Sequence, residues 1–315
     1  MKKLLKFMAC ALAVSFGLTA CDNGEDPHRP YDSGYKPKGS QLNTSHKLVG
    51  KMYGVDGVVD KNEDAQGIVF AVSKAGDTAY LVAFTDAMII GADKALETET
   101  YSYHGEKGYF PLQMVWGLTV PSQRDTIITE KTENNIQVFD TTIKTRGIIN
   151  HVNGDINTTQ IIELFVNAAK KDSTISVPKV YAAQLCRDYY RRQWGLNKLD
   201  ESDPIAQKWV GTKGQWYLPS IEELGDLMKN RDKINKLYGN KASDFVNENF
   251  YTPIGGENGH AYWSSSEFNA QSSWYCLSRG GDGTDYPGNQ RYGYFQKNEK
   301  RNMYVRPIRK APIKQ

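Results

Sequence analysis

Trp216-Tyr217-Leu218-Pro219-Ser220-Ile221-Glu222-Glu223-Leu224 is the stretch on which the fold turns. A short aromatic run meets a proline, and Ser220 with Glu223 then has the pattern of a capping box. In that pattern the serine hydroxyl accepts from a first-turn amide and the glutamate reaches back. Leu224, Leu227 and Met228 supply the buried stripe of the helix so started, and Ile234, Leu237 and Tyr238 extend it. Two further fixed phrases follow, Tyr262-Trp263-Ser264-Ser265-Ser266-Glu267 and Val305-Arg306-Pro307-Ile308-Arg309. Between them, from Trp274 to Tyr304, the chain is largely Gly, Asn, Asp, Ser, Tyr and Arg. A rigid scaffold holding a recognition surface reads this way.

Upstream, Leu48–Tyr53, Gly67–Val72 and Ala79–Phe84 read as strands, the last two joined as a hairpin through Ser73–Thr78. Thr alternates with Ile and Val across 120–147, which suggests another pair of strands. Asn157-Thr158 stand in N-cap position for Ile161, Ile162, Leu164, Phe165, Ala168 and Ala169. Val180 to Arg191 reads as a second helix with Ala183, Cys186 and Tyr190 on one face, and 194–210 as a polar insertion. After Tyr251 the pattern changes to short strands and Gly-rich turns, with Trp263 and Trp274 expected in the core. Glu267 and Arg306 are a candidate internal ion pair. No repeat of solenoid length is seen.

The N-terminus carries a basic run, Met1–Lys6, then an apolar stretch, Phe7 to Leu18, too short to span a bilayer. It ends in Leu18-Thr19-Ala20-Cys21, which resembles the lipobox of bacterial lipoproteins. Residues 1–20 would then be a signal peptide and Cys21 the lipidated first residue of the mature chain. The acidic residues Asp22, Glu25 and Asp26 resemble the surface-export signal of Bacteroidetes lipoproteins. Removing 1–20 takes away Lys2, Lys3 and Lys6, so the 39 Lys and Arg against 36 Asp and Glu of the whole chain become 36 of each. Net charge therefore gives no reason to expect nucleic acid as a partner. Residues 21–46 hold a single aliphatic residue, Leu42, and read as a flexible tether. As a coil it would reach roughly 28 Å on average. Only Cys186 and Cys276 remain in the mature domain, and spacing leaves open whether they pair.

The order Gly67-Ile68-Val69-Phe70, Leu81-Val82-Ala83, Trp116-Gly117, Asn153–Thr158, Ala182–Cys186, Trp216–Ser220, Tyr262–Glu267 and Val305-Arg306-Pro307 resembles the DUF1566 family. That family includes the Fibrobacter major paralogous domain and the C-terminal domain of the Legionella collagen-like adhesin. The resemblance covers most of 48–310 and implies an α+β, C-type-lectin-like fold over a single domain, 47–311. Helices would pack on a small twisted antiparallel sheet whose N- and C-terminal strands pair. Segments 95–150 and 191–212 depart from the compact pattern and read as insertions. Several members of the group resemble targets of diversity-generating retroelements, in which Asn codons before the final Val-Arg-Pro are randomised through adenine. Segment 275–304 is rich in the residues this yields. Glycine and turn chemistry gives the same composition, and both explanations stand.

The expected ligand-binding region is 274–304, with Tyr275, Arg279, Asp282, Asp285, Tyr286, Asn289, Arg291, Tyr292, Tyr294, Gln296, Lys297 and Asn298 as its contact residues. Tyr offers flat amphipathic area at low entropic cost, and the polar residues adapt around it. In a strand every second side chain points inward, so about half of these are expected to be structural. No enzyme is expected. His28, His46, His104, His151 and His260 are scattered, and HExxH, paired CxxC and P-loop motifs are absent. The Ser264–Ser266 run lacks a motif-placed base and is assigned to turn and backbone hydrogen bonding. The Glu-Pro-Asn and Trp-Asn-Asp phrases of calcium-dependent lectins are missing, so neither a metal nor another cofactor is expected. Asp77-Thr78-Ala79, Asp125-Thr126-Ile127 and Asp140-Thr141-Thr142 fit the O-glycosylation pattern of Bacteroidetes envelope proteins. The expectation is a surface-exposed outer-membrane lipoprotein, an adhesin or receptor, binding a protein or glycan ligand and touching the membrane through its lipid alone. The alternative is a structural envelope or fimbria-associated subunit whose same face packs permanently on a neighbour; an uncharacterised hydrolase is the third reading.

Overall fold

The apolar run that begins at Gly67 forms the centre of the larger of two main sheets. The computed structural model describes residues 41–61, 64–86, 88–90, 101–102, 109–111, 113–117, 152–171, 181–190, 200–202, 204–239, 253–255, 260–268, 272–278, 292–297 and 303–314. In chain order the first strands are β1 (Leu42–Asn43), β2 (Met52–Tyr53), β3 (Gly67–Ser73) and β4 (Thr78–Val82). Four short strands follow, β5 (Met88–Ile90), β6 (Tyr101–Ser102), β7 (Tyr109–Pro111) and β8 (Gln113–Met114). The helices are α1 (Gly154–Lys171), α2 (Ala182–Asp188), α3 (Pro204–Val210) and, after β9 (Trp216–Tyr217), α4 (Ile221–Gly239). The chain closes with β10 (Ala261–Glu267), β11 (Ser272–Leu277), β12 (Tyr292–Gln296), β13 (Met303–Tyr304) and β14 (Ile308–Pro312). The fold is mixed α+β.

The larger sheet runs β1-β3-β4-β14-β9, with β2 also on β3, and is antiparallel throughout. The C-terminal strand β14 therefore lies between the N-terminal hairpin and β9. The second sheet runs β12-β11-β10-β13, antiparallel except for the parallel β10–β13 pair. Strands β5 with β7 and β6 with β8 form two small ladders. β3 is covered on both faces, which is why its sequence is a continuous apolar run rather than an alternation. Ile68, Phe70 and Val82 meet Ile221, Leu224, Leu227, Met228 and Ile234 of α4. Val69, Val72 and Leu81 face Val49, Tyr53 and Ala311. A register shift between Val69 and Ala71 places Phe70 and Ala71 in the same core.

Several boundaries move. The tether was drawn to residue 46, but Leu42, its one aliphatic residue, already pairs with Ser73 and packs on the core. Asn157 and Thr158 lie inside α1; the helix starts at Gly154, and Asn153 Oδ1 accepts from the Ile156 amide at 3.3 Å. Both residues are fully buried, and Thr158 Oγ1 accepts from the Leu218 amide at 2.9 Å. The stretch read as a polar insertion ends in α3, whose Trp209 is buried. The expected strands in 120–147 lie outside the described residues, as does most of 95–150.

The capping box closes in both directions. The Glu223 amide donates to Ser220 Oγ at 3.3 Å, and the Ser220 amide donates to Glu223 Oε2 at 2.8 Å. The same carboxylate accepts from the Gly154 amide at 2.9 Å and from the Tyr217 hydroxyl at 3.1 Å. One buried carboxylate thus caps α4, the start of α1, and the strand between them. A Cβ on Gly154 would lie 2.6 Å from the Ser220 nitrogen and 2.7 Å from Glu223 Oε2, so only glycine fits there.

Glu223→Ala strands three donors, and we expect a loss of about 3 kcal/mol in urea unfolding. Burial pushes the Glu223 carboxyl above its ordinary 4.5, against the Ser220 and Gly154 amides and Lys310, which pull it down. The folded state then holds this proton more tightly than the unfolded chain does. Its contribution to stability falls as pH rises from 4.5 through the folded-state value and levels off above it. Thermal unfolding across that window should show this slope in the wild type and lose it in Glu223→Gln.

Candidate functional site

The second sheet has no open face at its centre. Tyr262, Trp274, Cys276 and Tyr292 point into the core shared with α4 and the larger sheet. Ala261, Trp263, Tyr275 and Leu277 point into a second core with Ile161, Leu164 and Phe165 of α1 and with α2. This double cover decides the fate of the expected contact residues. Tyr275 is fully buried, its ring lying where a Cβ of Gly293 would be. Tyr292 is buried with its hydroxyl against Gly225 of α4. Lys297 is buried too: its ammonium pairs with Glu267 and lies 4.7 Å from the centre of the Trp116 ring. All three are scaffold rather than contact residues: both faces of the sheet that holds Tyr275 and Tyr292 carry a core, and Lys297, just past β12, is enclosed by Glu267 and Trp116. Tyr294 is half-buried and Gln296 exposed. Arg279, Asp282, Asp285, Tyr286, Asn289, Arg291 and Asn298 lie outside the described residues.

Exposure thus rises along β12 from Tyr292 to Gln296, toward the β10–β11 turn. There Phe268, 39 % exposed, stacks on Tyr294 with ring centres 3.8 Å apart and planes 6° apart. Both rings stand edge-on to Trp274, at 5.1 and 6.0 Å, and Trp274 is itself buried. An aromatic pair, Phe268 exposed and Tyr294 half-buried, is held on a core tryptophan. Phe268 was absent from the expected contacts. Its signal was a lone phenylalanine between Glu267 and Asn269.

The serine run is fully buried in β10. Ser264 Oγ donates to the Trp274 carbonyl at 2.8 Å, Ser265 Oγ accepts from Asn157 Nδ2 at 3.1 Å, and Ser266 Oγ accepts from the Ile221 amide at 3.1 Å. These hydroxyls fasten the strand to its neighbour and to two helices. Cys186 and Cys276 are both free thiols, buried in different cores. Burial pushes the Cys186 thiol well above its usual range, which suits a packing residue.

Comparison with known proteins found no match. No family, curated protein or solved structure is significantly similar to the chain. The resemblance to the DUF1566 family rests on the residues quoted for it.

A polar cluster lies on the core face of β10. Asp86, fully buried, accepts from Arg306 Nη1 at 2.8 Å and from the Tyr262 hydroxyl at 2.9 Å. Arg306 also donates to the Phe84 carbonyl at 3.2 Å. Glu267 and Arg306, expected to pair with each other, are instead found with Lys297 and Asp86 respectively. The Tyr262 hydroxyl accepts from the Gly255 amide at 2.9 Å. His260 Nδ1 lies 3.5 Å from Asp86 Oδ2, and its ring stacks on Tyr304 at 3.9 Å. Burial, then Asp86, holds the Tyr262 hydroxyl well above the usual phenol range, so it stays a donor. The partners are far apart in sequence, 176 residues for Tyr262 and Asp86, and no motif links them. Among the described residues, no three metal-ligating side chains come together.

The Lys297–Glu267 pair separates a structural role from a ligand-contacting one. Burial pulls the Lys297 ammonium down while Glu267 holds it charged. Lys297→Met leaves Glu267 buried beside an apolar chain and should cost about 3–5 kcal/mol. Glu267→Leu with Lys297→Met should recover most of that loss, read from urea midpoints.

Proposed function

We propose that the chain is a lipid-anchored protein of the outer membrane, exposed at the cell surface, whose domain has a C-type-lectin-like fold. It binds a protein or glycan ligand through the outer end of the second sheet. The observation that carries this reading is the stack of exposed Phe268 on half-buried Tyr294 over buried Trp274, with exposed Gln296 on the same strand as Tyr294. Aromatic area already immobilised by the core loses little entropy on binding. Residues 279–291 join β11 to β12 at the other end of the same hairpin, where Cys276 and Tyr292 are paired, and carry most of the remaining expected contacts. The lipobox ending at Cys21 supports the anchor, and β1 is where the chain leading from it joins the domain. Among the described residues no helix is long and apolar enough to cross a membrane.

Alanine at Phe268, Tyr294 and Gln296, singly and together, tests the site in cells displaying the full chain. Adhesion to host cells or to other bacteria is measured by flow cytometry. We expect a loss of about tenfold for Tyr294→Ala and more for the triple variant, with thermal unfolding of the purified proteins little changed. Adhesion undiminished in the triple variant would overturn the assignment.

A further inference from the structure

Four Lys or Arg side chains of the described residues are buried, and three of them have a carboxylate. Arg231 has Asp232, Lys297 has Glu267, and Arg306 has Asp86. Arg309 of β14 is the exception. Only 5 % exposed, it is held by neutral acceptors: Nη1 donates to Gln215 Oε1 at 2.6 Å, and Nη2 donates to Gln66 Oε1. Its guanidinium lies 5.6 Å from the centre of the Trp216 ring, and its buried Nε–H has no acceptor. Burial pulls its pKa down to about 10, with Tyr53 the one group opposing that shift. Two amides satisfy hydrogen bonds but supply no countercharge, and a buried cation without one is costly.

The two amides differ. Gln66 is buried, whereas Gln215 is exposed and its Oε1 meets the guanidinium at the rim. We infer that Arg309 is an oxyanion site: a sulfate, phosphate or carboxylate group takes the place of Gln215 Oε1 and provides the missing charge. Trp216, fully buried beneath, and Gln66 behind hold the guanidinium in place for it. Arginine suits this role because its planar donors match an oxyanion and its charge persists at any physiological pH. The site belongs to the larger sheet and does not depend on the proposed recognition face.

The test is thermal unfolding of the full chain in detergent, titrated separately with sodium sulfate and sodium acetate, with sodium chloride at matched ionic strength. Saturable stabilisation by sulfate above the chloride control is expected, and acetate responding alike would extend the site to carboxylates. That saturable part should vanish in Arg309→Gln. Gln215→Glu keeps the arginine and supplies a built-in carboxylate. It should melt higher than the wild type and lose the saturable response, so the proposal stays testable if Arg309→Gln fails to fold. A sulfate effect that rises without saturation reflects general exclusion from the protein surface and overturns the site. So does the absence of any effect beyond chloride, or a Gln215→Glu protein that melts lower or keeps the response.

Discussion

The fold depends on one buried carboxylate. Glu223 accepts from the amides of Ser220 and Gly154 and from the Tyr217 hydroxyl, joining α4, α1 and β9 at a single point. Helix N-termini leave unpaired amides and carry partial positive charge, so two of them cannot be buried together without an acceptor between them. The carboxylate is that acceptor. The second sheet is tied to the same place. The Ser265 amide donates to the Pro219 carbonyl at 2.7 Å, and Ser266 Oγ receives the first amide of α4. Both sheets and two helices therefore take their relative positions from polar contacts within a few residues of Ser220, and the apolar cores fill the space those contacts define.

What the sequence disclosed follows from how local each cause is. The capping box spans four residues, and the hairpin β3–β4 is two apolar runs about a turn, so both were legible. Asn157 and Thr158 look like a cap because their side chains are cap formers. In the fold they turn inward to Ser265 and Leu218, contacts 108 and 60 residues away that no local pattern encodes. The same limit governs segment 274–304, where ligand contacts were expected. Alternation shows that neighbouring side chains of one strand point to opposite faces, but not that both faces are covered. That depends on α1 and α4, which arrive from elsewhere in the chain.

Buried charge is handled by pairing. Asp86 with Arg306 joins the segment after β4 to the one after β13, and Glu267 with Lys297 joins β10 to the residue after β12, against which Trp116 of the N-terminal half packs. Phe84 and Asp86 follow β4, and Lys297 sits beneath Trp116, whose amide donates to the Lys297 carbonyl at 3.0 Å. Such pairs contribute little net stability compared with apolar replacements, but a wrong arrangement leaves a charge unmatched. They thus favour one register of the two halves over its neighbours. Arg309 departs from this practice in the same structure, which makes its neutral surroundings informative.

The burial gradient along β12 connects scaffold to surface. Tyr292 is locked against Gly225, Tyr294 is half-buried on Trp274, and Gln296 is exposed, all within one strand and one face. The outer side chains inherit the rigidity of the inner one through the backbone and through Trp274. Of the three side chains on this face, Gln296 alone is exposed, because Tyr292 is packed into the core and Tyr294 rests on it. Burial and exposure thus lie at the two ends of one strand, with the exposed end positioned by the buried one.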